Sequence, residues 1–108
     1  MDNAYLTITT TADSQEAIER IALAVLHPPL AACAQVEGPI DSRYWWKGEL
    51  ETAREWRCTM KAPARNFDAL EAAIRAVHPY ATPEIVASAM DRGGADYLAW
   101  IDEVCATG

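Results

Sequence analysis

No Cys-x-x-C pair, no glycine-rich loop and no long apolar run occurs in this 108-residue sequence. Cys33, Cys58 and Cys105 form an odd, widely spaced set, which indicates neither a disulfide framework nor a zinc knuckle and leaves free thiols as the expectation. The absence of a glycine-rich loop excludes a phosphate cradle of the P-loop kind. No window approaches the roughly 20 apolar residues of a membrane span. The start Met1-Asp2-Asn3-Ala4-Tyr5 lacks the positive end and apolar stretch of a secretory signal, so a cytoplasmic location is expected. Cations are scarce as well: the net charge of -7 disfavours nucleic acid and anionic membrane surfaces, both of which need a concentrated basic face. Neither a Ser/His/Asp nor a Cys/His arrangement is supported by spacing, and no repeats or low-complexity tracts occur.

What is present fits one folded domain over residues 1–108, with 51% hydrophobic and 23% charged residues. Ala4 to Thr11 is rich in β-branched residues and reads as a strand. Asp13 and Glu16 make a capping-box-like start, after which Ile18, Ile21, Ala22 and Val25 recur at helical spacing until His27-Pro28-Pro29. Leu30 to Val36 begins a second strand that Gly38-Pro39 interrupts, with a bulge expected there, and Ile40 to Trp46 resumes it. Lys47-Gly48 marks a hairpin turn, although Lys suits its first position less well than Asn or Asp. On the returning strand Trp56, Cys58 and Met60 face inward while Glu55, Arg57, Thr59 and Lys61 form a wet side. Phe67, Leu70, Ile74 and Val77 are the stripe of a second helix that stops before Pro79. Glu84 to Met90 reads as a fourth strand, Gly93-Gly94 as a turn, and Asp96 as the cap of a last helix with Leu98, Ile101 and Val104 inward.

The order predicts an α+β fold, a ferredoxin-like βαββαβ sandwich with an extended central hairpin and a C-terminal helix. The hairpin, from about Ala31 to Lys61, is longer than its neighbours, so part of it projects beyond the domain. It carries Tyr44, Trp45, Trp46 and Trp56, and because adjacent strand residues point to opposite faces, Trp45 and Trp46 need separate covers. These four are the candidate interface residues of a homo-oligomer. Arg43, Lys47, Arg54, Arg57, Lys61 and Arg65 make the same segment locally basic, either through cross-strand ion pairs or as a small-anion site.

Three segments carry a family resemblance. Leu30-Ala31-Ala32-Cys33-Ala34-Gln35, Tyr44-Trp45-Trp46-Lys47-Gly48-Glu49-Leu50-Glu51 and His78-Pro79-Tyr80-Ala81-Thr82-Pro83-Glu84-Ile85 resemble, in order and approximate spacing, signature segments of the CutA divalent-ion tolerance family. Asp96-Tyr97-Leu98-Ala99-Trp100 is similar to its closing segment, so the likeness runs from about Ala4 to Val104. The resemblance implies a ferredoxin-like fold, a homotrimer joined through its long hairpins, an architecture like that of PII signalling proteins, and a link to tolerance of copper and other divalent ions. It implies no catalysis and no obligatory cofactor.

Copper favours thiolate and imidazole ligands, which makes Cys33 and His78 the natural metal candidates, with Glu84 beside them. Each has a plainer reading: Cys33 as a small buried hydrophobe among alanines, His78 as a helix-end side chain favoured by the dipole, and Glu84 as part of a network with His78 and Tyr80 fixing the turn. Some family members held to bind copper carry a cysteine at the end of the first strand and a second histidine before His-Pro-Tyr, where this chain has Thr10 and Val77. Weaker or relocated copper binding is therefore expected. Cys58 shares the inward phase of Trp56 and Met60, whereas Cys105, near the end, is expected to be exposed. The function expected is that of a trimeric binding or regulatory protein in divalent metal tolerance. The alternatives are a PII-like small-anion-binding signalling protein and an acylphosphatase-like hydrolase on the same fold. The hydrolase needs an arginine in an anion-binding loop and a water-orienting amide, for which Asn3 and Asn66 are the only asparagines.

Overall fold

A computed structural model describes residues 4–106. The N-terminal reading at Met1 to Asn3 lies outside the described residues. Strand β1 (Tyr5–Ala12) leads into α1 (Gln15–Leu26), then β2 (Cys33–Trp46) and β3 (Glu49–Pro63) form the long hairpin. A short 3-10 turn (Ala64–Asn66) precedes α2 (Phe67–Val77), followed by β4 (Val86–Ala89) and α3 (Ala95–Cys105). The sheet is antiparallel in the order β2-β3-β1-β4, the ferredoxin-like arrangement expected from the pattern.

The core lies between the sheet and the pair α1 and α2. Ile8, Cys58, Met60 and Ala62 enter it from the strands, and Ile18, Ile21, Val25, Leu70 and Ile74 from the helices, all fully buried. Strand alternation puts Tyr5, Thr7 and Thr9 on the opposite face, with Cys33 and Lys61 in the same phase. Helix α3 reaches that second face: the Tyr97 hydroxyl meets Cys33 Sγ at 3.7 Å, and Asp102 receives the Tyr5 hydroxyl and, at 3.1 Å, Arg65. Those two partners, Tyr5 first, hold the Asp102 carboxyl below its ordinary range.

Several local expectations shift by one or two residues. The α1 cap is Ser14, whose hydroxyl accepts the Ala17 amide at 3.1 Å, not Asp13 with Glu16. Gly94 caps α3, while Asp96 sits inside the first turn and accepts the Tyr97 amide. The inward positions of α3 also rotate: Ile101 and Cys105 are buried, with Leu98 and Val104 half-buried. Cys105, expected to be exposed, is 3% exposed, and its thiol donates to the Leu30 carbonyl at 3.6 Å, tying the end of α3 to the loop after α1. The bulge falls where Gly38-Pro39 predicted it, between Glu37 and Ile40. Gly38 is required there, because a Cβ would lie 2.5 Å from Trp56 Cδ1. Lys47 accepts φ 51 and Gly48 φ 81, the left-handed pair that a two-residue hairpin turn needs.

Pairing explains the projection of the hairpin. Strand β1 covers β3 only from Trp56 to Pro63, so Glu49 to Glu55 pair with β2 alone. The outer half of the hairpin is therefore a two-stranded ribbon with no third strand beside it.

Candidate functional site

The site is assembled where the segment after α2 wraps around the end of β1. His78 ends α2 because Pro79 cannot continue it, and its ring is fastened on both sides. Nδ1 accepts the Tyr80 amide at 3.1 Å, which leaves the proton on Nε2 to be donated to the Thr11 carbonyl at 2.9 Å. Burial lowers the His78 pKa, outweighing the Thr11 bond that opposes it. His78 is thus a neutral clamp rather than a cationic helix end. The clamp aims Tyr80, whose ring centroid lies 5.0 Å from the imidazole and whose hydroxyl donates to Glu55 Oε2 at 2.6 Å. Burial and then the Glu55 carboxylate raise the Tyr80 pKa, so the phenol remains a donor.

Glu55 departs from its expected place on a wet side, being 5% exposed. Its neighbours in phase, Arg57, Thr59 and Lys61, stay half-open as alternation predicts. What buries Glu55 is Tyr80, which lies 25 residues away in the chain. Periodicity within β3 carries no signal for that contact.

Above Glu55 opens a cleft of about 600 Å³. Glu55 pairs with Ile40, so Ser42, Tyr44 and Trp46 of β2 share its face of the ribbon. Tyr44 and Trp46 are aromatic walls, Thr11 and Ser42 add hydroxyls, and exposed Arg43 and Glu84 complete the charged part of the lining. Trp46 also meets a cation of its own chain: Lys47 Nζ stands 5.6 Å from its ring centroid. On the other face Trp45 lies opposite Leu50, and these side chains are 73% and 61% exposed. The neighbouring tryptophans therefore have separate environments, Trp46 toward the cleft and Trp45 outward. Trp56 is half-buried against Gly38.

The metal candidates occupy different surroundings. Cys33 is half-buried at the start of β2 beside Tyr97, His78 has both ring nitrogens engaged, and exposed Glu84 is part of the cleft lining. Among the described residues no group of three or more His, Cys, Asp or Glu side chains is placed to hold a metal ion. The acid that joins Tyr80 is Glu55, not Glu84. Burial pushes the Cys58 thiol up to about 12, which keeps it protonated in the core opposite Thr10. The basic segment is partly used by its own strands: Arg57 pairs with Glu37 at 3.2 Å, and Lys61 donates to Gln35 at 2.7 Å.

The family model for CutA1 divalent ion tolerance protein matches residues 6–104. The divalent-cation tolerance protein CutA of Archaeoglobus fulgidus is 41% identical over 89% of this chain and 93% of its own length, and that of Thermus thermophilus is 34% identical over the same shares. Among solved structures, the periplasmic divalent cation tolerance protein CutA of Archaeoglobus fulgidus superposes with a TM-score of 0.90 at 39% identity, covering 94% of this chain and 98% of that one. The Thermus thermophilus protein gives 0.89 at 33% identity, covering 92% and 96%. The alignments span the motifs that build the hairpin and the clamp at its base, and this chain belongs to the CutA1 family of divalent ion tolerance proteins.

Proposed function

We propose that the protein acts in the cytoplasm as a homotrimeric binding or regulatory protein in divalent metal tolerance, with no catalytic step of its own. The observation that carries the assembly is the projecting ribbon, on which Trp45 and Leu50 form an exposed apolar pair on strands that no third strand flanks. Burying such a pair against another copy removes apolar surface from water, worth about 25 cal/mol per Å² covered. The short edge strand β4, exposed along its whole length, offers a second surface for the same purpose. In this reading Tyr44, Trp45, Trp46 and Trp56 all lie at or beside the subunit boundary. The metal link rests on the family, whose named members are divalent-cation tolerance proteins.

Cys33, His78 and Glu84 remain the proposed metal donors, His78 by releasing the Tyr80 amide from Nδ1, with other copies in the assembly supplementing them. Copper or another divalent ion is the proposed ligand. Light scattering tests the assembly, with three times the chain mass expected and a monomer at micromolar concentration counting against it. Copper titration by calorimetry, repeated on Cys33→Ser and His78→Ala, tests the donors; identical binding in both variants removes those two residues from the site. The hydrolase alternative gains no support from Asn66, whose amide donates to the Leu30 carbonyl at 2.9 Å instead of facing an anion loop.

A further inference from the structure

The cleft over Glu55 has a chemical character that metal tolerance does not account for. Its floor is a carboxylate that is 5% exposed, with Oε2 held by the Tyr80 hydroxyl at 2.6 Å. Oε1 has no hydrogen-bond partner among the described residues and is not sealed from solvent, so it opens to the cleft that Glu55 lines. A carboxylate oxygen open to the cleft while the rest of its side chain is buried is an acceptor available to a ligand donor, with water in that place otherwise. The walls are the aromatic faces of Tyr44 and Trp46. Two carboxylates, Glu55 and Glu84, and one guanidinium, Arg43, line it, with the Lys47 ammonium beside the Trp46 wall, so the negative charge is concentrated at the floor on Glu55.

Acid below and aromatics at the sides is the arrangement that recognises an organic cation: the ring quadrupoles attract its charge, the carboxylate accepts its N–H, and the ring faces cover its apolar stem. The Trp46 ring already has an ammonium near it, that of its chain neighbour Lys47 at 5.6 Å from the centroid, which shows that the ring is reachable by such a group. A hydrated divalent ion gains little from aromatic walls, as it takes oxygen or nitrogen ligands in numbers that one open carboxylate oxygen does not supply.

We propose that this cleft binds a small molecule bearing a protonated primary amine, with its ammonium on Glu55 Oε1 and its alkyl stem between Tyr44 and Trp46. Arg43 in the lining disfavours a second cationic head on the ligand. The proposal goes beyond the metal reading and does not depend on it: Cys33 and His78 do not line the cleft, and Glu84, the proposed metal donor that does, is not the group that takes the ammonium.

The test is calorimetric titration of the intact, purified assembly with butylammonium chloride, using 1-butanol as its uncharged counterpart of nearly the same shape. Saturable butylammonium binding on the order of 1 mM is expected, as fits a ligand of about five non-hydrogen atoms. Butanol should bind roughly tenfold more weakly, because it cannot make the charge-assisted bond. Glu55→Gln, which keeps an acceptor for Tyr80, should lower affinity for butylammonium roughly tenfold without changing the mass by light scattering or the circular dichroism spectrum. Trp46→Leu, 44% exposed in the single chain, should lower it severalfold with the mass by light scattering unchanged. Equal binding of butanol and butylammonium overturns the proposal, as does an unchanged affinity in both variants. Absence of saturable binding by the native assembly also overturns it, including the case in which a second copy fills the cleft. Displacement of butylammonium by millimolar magnesium, at constant ionic strength, reassigns the cleft to a metal ion. Scattering and copper titration report separately on the trimer and the metal, so failure of either reading is distinguishable from failure of this one.

Discussion

Thr10 offers the sharpest test of how the core is held together. It is fully buried on β1, opposite fully buried Cys58 and in phase with Ile8 and Ala12. Its Oγ1 is the one buried side-chain nitrogen or oxygen without a hydrogen-bond partner among the described residues. A hydroxyl in that condition forfeits its bonds to water and gains nothing in return, at a cost of about 1–3 kcal/mol. Thr10→Val replaces it with a methyl group of nearly equal volume, so no cavity or clash arises. Both residues are β-branched, so the strand preference cancels. The expected result is stabilisation of about 1–2 kcal/mol, equivalent to roughly 4–8 °C in melting temperature for each kcal/mol in a chain near this size. Equilibrium urea unfolding at matched protein concentration is the appropriate assay, because an oligomer's stability depends on concentration. Thr10→Ser keeps the hydroxyl but deletes the methyl, and should destabilise by about 1 kcal/mol. A lower midpoint for Thr10→Val than for the native protein would refute the reasoning, since it would mean that the hydroxyl has a partner whose loss outweighs the gain.

Three further outcomes follow from the same geometry. His78 is neutral in the fold, with its pKa below the ordinary 6.5, so the unfolded chain takes up the proton first as pH falls. Its contribution is complete above 6.5 and is lost as pH drops through 6.5 toward the lowered folded value; urea midpoints should show this decline, and His78→Gln should flatten it relative to the native profile. Gly38→Ala forces a Cβ to within 2.5 Å of Trp56 Cδ1 and should cost about 1–3 kcal/mol by the same unfolding assay, with no loss counting against the close approach. Trp45→Ala should weaken the assembly by analytical ultracentrifugation, whereas Leu23→Ala, a helix-face side chain 57% exposed against 73% for Trp45, should not; equal effects would remove Trp45 from the interface.

Much of this protein is determined by local pattern. Alternation in β1 and β3, the helical stripes through Ile18 and Leu70, and the stops at Pro28 and Pro79 depend on near neighbours, so order, topology and the bulge at Gly38 could be read without coordinates. The opposed tryptophans were legible for the same reason, because a strand must send Trp45 and Trp46 to different faces. Cap positions slipped by a residue or two, as at Ser14 and Gly94, because Asp, Ser and Gly all suit a helix start and backbone geometry chooses among them. Burial of Cys105 rested on where α3 docks, which the helical repeat alone does not specify. The cleft was decided by tertiary structure entirely. Glu55 alternates like any solvent-facing acid in its strand, and only the turn of chain through His78 brings Tyr80 over it, converting a charge on a wet face into a buried acceptor. Hydrophobic period reports which face a side chain leaves the backbone on, while what meets it there depends on chain folded back from far away in sequence.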